Sequence, residues 1–289
     1  MSTRNNGNNE VITISLNTFY GTSLILTFLG GSYLTYNRYL KQYRNVKDIP
    51  TNLFRKKWLY GKVTAVGDGD NFHFYHLPGG ILGGWGWLRK IPELEPNTTM
   101  KIINSKNMTA SDKPFHQLSF KSFSKRIKDI SSMSSSQRNL KLKSSYYMNL
   151  KPRYKGRRGL PTIPIRISGI DAPERAHFGN QGQPFGDEAL NWLRYRLLNK
   201  KVWIKPLRID QYNRCVARTV YWSWVGGWKD IGLQMIKEGL AVVYEGKMDA
   251  EFDNKKKIYQ FHEFLAKSQR RGLWIQKSIQ TPGQFKKKT

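Results

Sequence analysis

The sequence has little cysteine, little acid and little histidine. Cys215 is the one cysteine in 289 residues, so no internal disulfide can form and no thiolate zinc site can be built, a usage that fits a reducing compartment. Its apolar neighbours mark Cys215 as a small core residue. The five histidines show no ligand spacing, and His73, His76 and His177 read as surface or packing residues. Asp and Glu number 20 against 49 Lys and Arg, a net charge of +29. Solubility does not need so large an excess, which points to a polyanionic partner, either nucleic acid or an anionic membrane surface.

Charge of both signs is missing from Val11 to Asn37. Within that run Phe19 to Tyr36 approaches the length that spans a bilayer, so a single transmembrane helix is expected over 11–37 with its centre near 19–36. Gly30, Gly31 and several Ser and Thr dilute it, and the competing reading is a removed targeting segment, for which no small-residue cleavage site is evident. Arg38, Lys41, Arg44 and Lys47 follow it, against Arg4 before it. The positive-inside rule then keeps the C-terminal part on the cytosolic or matrix side. Residues 1–10 form a polar tail, 38–57 a basic linker, 58–275 a folded domain and 276–289 a basic tail.

Within that domain, short β-rich runs on either side of Gly67-Asp68-Gly69-Asp70 predict a hairpin. A Gly/Trp-rich stretch follows and reads as a loop packed by Trp85 and Trp87. From about 95 to 160 the composition turns basic and low in complexity: Lys101 to Gly159 holds fifteen Lys and Arg against Asp112 and Asp129. This predicts an inserted loop without stable structure that adds salt-sensitive phosphate affinity. Ile163 to Ile170 alternates as a half-buried strand. Pro184 to Leu198 has helical spacing, with Pro184 suited to the first turn. Val202–Leu207 and Arg214–Trp222 are strands of a second hairpin around Asp210–Asn213. A helix capped by Asp230 stops at Gly239, a strand covers Leu240–Tyr244, and a last helix from about Asn254 to Arg271 gathers Ile258, Phe261, Phe264 and Leu265 on one face. Connections such as Gly67–Asp70 and Asp210–Asn213 are too short for parallel crossovers. The order fits a mainly β fold with α elements (α+β): a five-stranded barrel of the oligonucleotide-binding (OB) type with about three helices.

The strand at 163–170 ends in Asp171-Ala172-Pro173-Glu174, where the proline stops the sheet ladder and leaves charge at the strand end. Arg166, Asp171 and Glu174 thus come from one short segment. They are the groups that phosphodiester chemistry wants: a carboxylate for a hard cation, a second to take a proton from water, and a guanidinium for phosphate oxygens. An ordinary strand with solvated charges at its exit would look the same. Asp70, leaving the GDGD turn, could aim at the same place, and Arg214 opens the returning strand of the second hairpin.

Taken together, GDGD at 67–70, IRISGIDAPER at 165–175, FGDEA at 185–189, DQYNR at 210–214 and IKEGLA at 236–241 resemble the staphylococcal (thermonuclease) family of calcium-dependent nucleases. The N-terminal span, GGWGW and HFGNQGQPFGDEA resemble its fungal mitochondrial membrane-anchored branch, named for a long-chronological-lifespan phenotype. The resemblance implies an endonuclease acting on DNA and/or RNA. Asp70 and Asp171 would be Ca²⁺ ligands, with the Ala172 carbonyl as a further oxygen. Glu174 would activate water, and Arg166 and Arg214 would clamp the phosphate. An all-oxygen site also suits Mg²⁺ or Mn²⁺ and argues against zinc. The bacterial enzymes have Thr in place of Ala172 and a tyrosine pair beside the last strand, where this chain has Tyr244; Tyr244 either stacks on a base or is a core-edge aromatic. A mitochondrial membrane follows from the branch resemblance, with the endoplasmic reticulum as the alternative. A catalytically inactive nucleic-acid-binding module on a membrane tether is the competing function.

Overall fold

The computed structural model describes residues 6–80, 91–93, 159–176, 182–224, 226–245, 251–276 and 278–285, with side chains in the first helix at 18 and from 20 onward. The basic insertion, Trp85, Trp87 and His177 lie outside the described residues. The chain divides into two compact units, Met1–Gln42 and Tyr43–Thr289.

The first unit holds helix α1, Asn6–Thr35. At 30 residues it would extend about 45 Å, ample for a bilayer. The expected transmembrane helix is met in helicity and length but not in apolarity. Among the described residues no helix is both long and apolar enough to cross a membrane. The reason is dilution: glycines and hydroxyl side chains, such as Thr27 and Thr35 bonding back to carbonyls three or four residues earlier, alternate with its leucines.

The second unit contains strands β1 (Leu59–Val66), β2 (Asn71–His76), β3 (Ile163–Ile167) and β4 (Ile170–Asp171), helix α2 (Gly186–Leu197), strands β5 (Lys201–Ile209), β6 (Cys215–Ser223) and β7 (Gly227–Asp230), helix α3 (Ile231–Lys237), strand β8 (Val242–Val243), helix α4 (Lys256–Ser268) and a short helical turn α5 (Pro282–Phe285). The sheet order is β3-β2-β1-β5-β6-β7, and a parallel β3–β6 pairing closes β1, β2, β3, β6 and β5 into a five-stranded barrel. This is the expected OB-like barrel with helices. Strand β7 extends the sheet beyond the sequence reading, and the strand expected at Leu240–Tyr244 is the shorter β8, which pairs with β4 in a small second sheet.

Alternation dictates the barrel interior. In β3, Ile163, Ile165 and Ile167 are at most 2% exposed while Pro164 and Arg166 between them face outward; each buried isoleucine contributes about 2 kcal/mol. Pro164 precedes the stretch of β3 that pairs with β6, where its missing N–H costs least. Val63, Phe72, Phe74, Val202, Ile204, Cys215 and Ala217 complete the core. Burial pushes the Cys215 thiol up to about 12, as expected of an inert core cysteine.

Helix α2 starts two residues after Pro184, entered through Phe185 in the left-handed region (φ 72°), and buries Ala189, Leu190, Trp192, Leu193 and Leu197. Asp230 caps α3 as expected, accepting the Leu233 N–H at 3.1 Å. Helix α4 corrects the expected face. It buries Tyr259 and Ala266, while Ile258, Phe261 and Phe264 are 41%, 57% and 64% exposed. The apolar periodicity is real, but the stripe that enters the core is the one on which the Tyr259 hydroxyl reaches Asp230 at 2.8 Å.

Candidate active site

Strand register gathers the site. Asn71 of β2 pairs with Arg166 of β3, so the preceding Asp70 lies beside Ile167, whose N–H donates to the Asp70 carbonyl at 2.9 Å. On the other flank of β3, Ile165 pairs in parallel with Cys215, so Arg214 comes beside Pro164 at the opening of β6 and lines the same cleft as Arg166. After Ile167 the chain turns at Gly169 (φ 74°), where a Cβ would stand 2.7 Å from the Phe252 ring. Only glycine fits that backbone conformation and that gap. The turn sends β4 back toward Arg166. There the Asp171 Oδ1 accepts from Nη2 at 3.3 Å, while the Asp70 Oδ2 lies 3.5 Å from Nε.

Arg166 is therefore a hub between two nearly buried carboxylates, whose side chains are 12% and 5% exposed. Both contacts are longer than the 2.7–2.9 Å of a tight charge-assisted bond, so the guanidinium is oriented without being saturated. Tyr244 follows β8, its N–H donating to the Gly169 carbonyl at 3.0 Å, and its ring lies 5.0 Å from the Arg166 guanidinium carbon. That contact accounts for Tyr244 within the protein as a cation–π partner of the hub.

Arg214 is held by Asp210. The Asp210 Oδ1 accepts from the N–H groups of Tyr212 and Arg214 at 2.9 and 2.8 Å, and its Oδ2 from the Arg214 Nε at 2.7 Å. This is an Asx-type turn that also fixes a side chain, with Asn213 in the left-handed region (φ 56°). Among the described residues these bonds use only Nε of Arg214, leaving its two Nη groups to serve a ligand.

Glu174 is fixed through its backbone. Its N–H donates to the Gln183 Oε1 at 2.9 Å and its carbonyl accepts from the Gln183 N–H at 2.8 Å, while Gln183 Nε2 ties the pair to the Gln280 carbonyl at 3.1 Å. Gly186 is required beside it, because a Cβ there would come 2.7 Å from the Glu174 carbonyl oxygen. Ala172 is 5% exposed and packs under the GDGD turn, where a Cβ on Gly69 would meet the Ala172 Cβ at 2.7 Å.

Asp70, Arg166, Asp171, Glu174, Arg214 and Tyr244 all line one open cleft of about 610 Å³. The Ala172 side chain lies beneath it and is not part of the lining. His73 and His76 are remote from the cleft, as expected. His73 bonds the Thr162 hydroxyl at 3.3 Å, and His76 is buried against Tyr43. Sequence reasoning left four functional neighbours unassigned. Asp210 and Gln183 position the site. Tyr212, 68% exposed and 5.2 Å from the Arg214 guanidinium, and Asp68 line the cleft. For Asp210 and Tyr212 the signal was present in DQYNR, since an Asp four residues before an Arg across a turn can cap and pair at once.

The lining carries six carboxylates (Asp68, Asp70, Asp171, Glu174, Glu245, Glu263) against three cations (Arg166, Arg214, Lys267). A polyanion would be repelled from such a cleft unless a further cation sat in it. The donor set is all oxygen at the Asp70–Asp171 pair, which fits a hard divalent ion. Among the described residues no three His, Cys, Asp or Glu side chains converge as a complete ligand cage. Such an ion would draw its remaining oxygens from backbone, water or substrate.

Sequence comparison agrees with the geometry. A family model described as staphylococcal nuclease homologue matches residues 164–276. The "Probable endonuclease LCL3" of Saccharomyces cerevisiae (strain AWRI1631) is 52% identical over 282 residues, covering 96% of this chain and 95% of the relative. The chain belongs to the staphylococcal nuclease homologues. Proteins of the same printed name in Zygosaccharomyces rouxii and Kluyveromyces lactis are each 51% identical, over 98% and 94% of this chain and 95% of each relative. The family model begins inside β3, so Asp70 and its hairpin, outside that match, join the site through the strand register.

Proposed function

We propose that this staphylococcal nuclease homologue is a metal-dependent endonuclease that hydrolyses phosphodiester bonds of DNA and/or RNA. One observation carries the reading. Two guanidinium groups and three carboxylates from three separate chain segments meet on one cleft, an arrangement that barrel stability alone does not require. Arg166 and Arg214 orient the scissile phosphate and take up the charge that grows on its oxygens as water attacks. Glu174, whose backbone is clamped by Gln183, removes the proton from that water. Asp70 and Asp171, with the Ala172 carbonyl as a candidate, would hold the divalent ion, Ca²⁺ or in its place Mg²⁺ or Mn²⁺. When bound, the ion supplies Lewis-acid polarisation of a phosphate oxygen. Tyr244 is occupied by Arg166, which favours positioning over base stacking.

The test incubates the full chain with plasmid DNA and with RNA, in Ca²⁺ or in chelator, beside Glu174→Gln. Metal-dependent cleavage that falls by about 10²–10⁴ in the variant with substrate affinity kept supports the assignment. Tight, salt-sensitive binding without cleavage in Ca²⁺, or on repeating the incubation with Mg²⁺ and with Mn²⁺, replaces it with a nucleic-acid-binding module.

The proposal includes a membrane tether through α1. Its support is that Leu24, Ile25, Leu26, Phe28, Leu29 and Leu34 are each more than half exposed and that Arg38, Lys41, Arg44 and Lys47 follow. The mitochondrion, with the nuclease domain on the matrix or cytosolic side, is proposed from the branch resemblance. Alkaline extraction and protease protection of fractionated organelles decide both points, recovery in the endoplasmic reticulum being the alternative.

A further inference from the structure

The outer face of α4 has no explanation in the nuclease chemistry. Phe261 and Phe264 lie on the side of the helix opposite the buried Tyr259 and Ala266, and with Ile258 they leave three large apolar side chains 41–64% exposed within two turns. Phe261 meets the His262 ring edge-on at 5.4 Å. The apolar strip continues past the helix, because Ile258 and the half-exposed Trp228 line a common groove with Leu233, Lys229, Lys237 and Lys255. Exposure of this kind is costly in water and marks an interaction face.

The charge around the strip selects the occupant. Lys256 and Lys257 begin the helix, Lys267 ends it and Arg270 follows, all exposed. The helix has a single acid, Glu263, which is consumed by the Val243 N–H at 2.8 Å and by Lys267 at 2.9 Å. Phenylalanines flanked by lysines and a tryptophan, without an outward acid, form the pattern of a helix lying in the headgroup layer of an anionic bilayer, with rings in the acyl boundary and ammonium groups at the phosphates. A nucleic-acid strand would use the lysines but leave Ile258 and the phenylalanines in water. A second copy of a chain with net charge +29 would bring lysine against lysine.

We infer that the Ile258–Phe261–Phe264 face of α4 docks this protein onto an anionic lipid surface, as a contact additional to α1. The inference uses the tether proposed for α1 only as a source of high local concentration, and it does not depend on the nuclease reading.

The experiment attaches an environment-sensitive fluorophore to the full chain at Gln260→Cys, exposed on α4, and separately at Lys201→Cys, exposed at the start of β5. Cys215 is fully buried and will not compete for label. Labelled protein is mixed with vesicles of phosphatidylcholine alone or with added phosphatidylserine, and flotation is scored in parallel. The expected result is a roughly two- to three-fold rise in emission at position 260, with little change at 201, when phosphatidylserine is present, and loss of that rise in F261D/F264D. Both phenylalanines are more than half exposed, so the variant should keep the fold, which circular dichroism checks. Flotation with both vesicle types while 260 stays aqueous overturns the docking face and leaves the α1 tether standing. Flotation only with phosphatidylserine, together with the rise at 260, supports docking and removes the tether. An equal rise at 260 and 201 overturns the inference. A rise at 260 only on adding an oligonucleotide, or only with protein concentration in the absence of vesicles, reassigns the face to nucleic acid or to a second copy.

Discussion

His76 makes the folded domain sensitive to mild acid. The residue ends β2, is 4% exposed, stacks on Tyr43 with ring centroids 4.7 Å apart, and accepts the Tyr43 N–H through Nδ1 at 3.1 Å. An imidazole accepting at Nδ1 carries its proton on Nε2 and is neutral. Burial accordingly lowers its pKa from 6.5 to about 3. The sign follows from proton counting: between pH 6.5 and 3 the unfolded chain binds a proton that the folded chain does not, so stability is full above 6.5 and falls as pH drops below it. At pH 5 the unfolded imidazole is protonated about 30 to 1, a loss of about 2 kcal/mol relative to pH 7.5, and about 3 kcal/mol is lost by pH 4. His76→Gln supplies an amide oxygen for the Tyr43 N–H without a titrating group. Urea unfolding followed by tryptophan fluorescence at pH 7.5 and 5 should show the parent losing about 2 kcal/mol more than the variant. Equal losses, to within about 0.5 kcal/mol, would refute the argument, since carboxylate titration is common to both proteins.

Three further outcomes are expected. Gly169→Ala combines a left-handed backbone with a Cβ 2.7 Å from Phe252 and should cost about 2–4 kcal/mol in denaturant unfolding, with cleavage falling too because Arg166 and Asp171 lie on either side of the turn; a loss under about 0.5 kcal/mol would show that the turn can relax. Asp210→Ala removes the three bonds that set Arg214 and should lower kcat about 10- to 100-fold with KM little changed, since the guanidinium remains but is no longer aimed. Replacing 95–158 by a short linker should leave cleavage at low salt within about a few-fold while flattening the salt dependence of binding, the segment's basic excess acting through counterion release. An unchanged salt slope would assign the affinity to the barrel.

What could be read from the sequence follows period and motif. Strict alternation in 163–167 and the Gly67–Asp70 and Asp210–Asn213 turns located the barrel, because those local patterns coincide with what the tertiary fold buries. Helix α4 shows the limit. Its apolar residues were visible, but which stripe turns inward depended on a hydroxyl-to-carboxylate bond between Tyr259 and Asp230 and on Ala266 fitting where a phenylalanine would not. The six cleft residues were recognisable from motifs, yet Asp70 joins them through the β2–β3 register and Arg214 through the β3–β6 closure, and no local window contains either. Gln183 carried no signal of its own, since its role is to bond the backbone of a residue across a turn.

The same closure accounts for how the domain accommodates so long a basic insertion. Strand β2 follows Asp70 at the cleft and runs from Asn71 to His76 at the far end, and β3 runs back from Ile163 to Ile167 at the cleft, paired from Asn71–Arg166 to Phe74–Ile163. The segment between these strands therefore leaves about five residues, or ~17 Å, and re-enters about three residues, or ~10 Å, along the strands from the Asn71–Arg166 pair. Lengthening a connection costs only about 0.6 kcal/mol per doubling, and here the cost falls where no site residue is anchored. The carboxylates and guanidiniums are set by strand register and by the Gly169 and Asp210 turns, none of which the insertion interrupts. Shortening the segment is therefore expected to change how much nucleic acid gathers near the barrel while leaving these anchors in place, which the salt slope and the low-salt cleavage rate read separately.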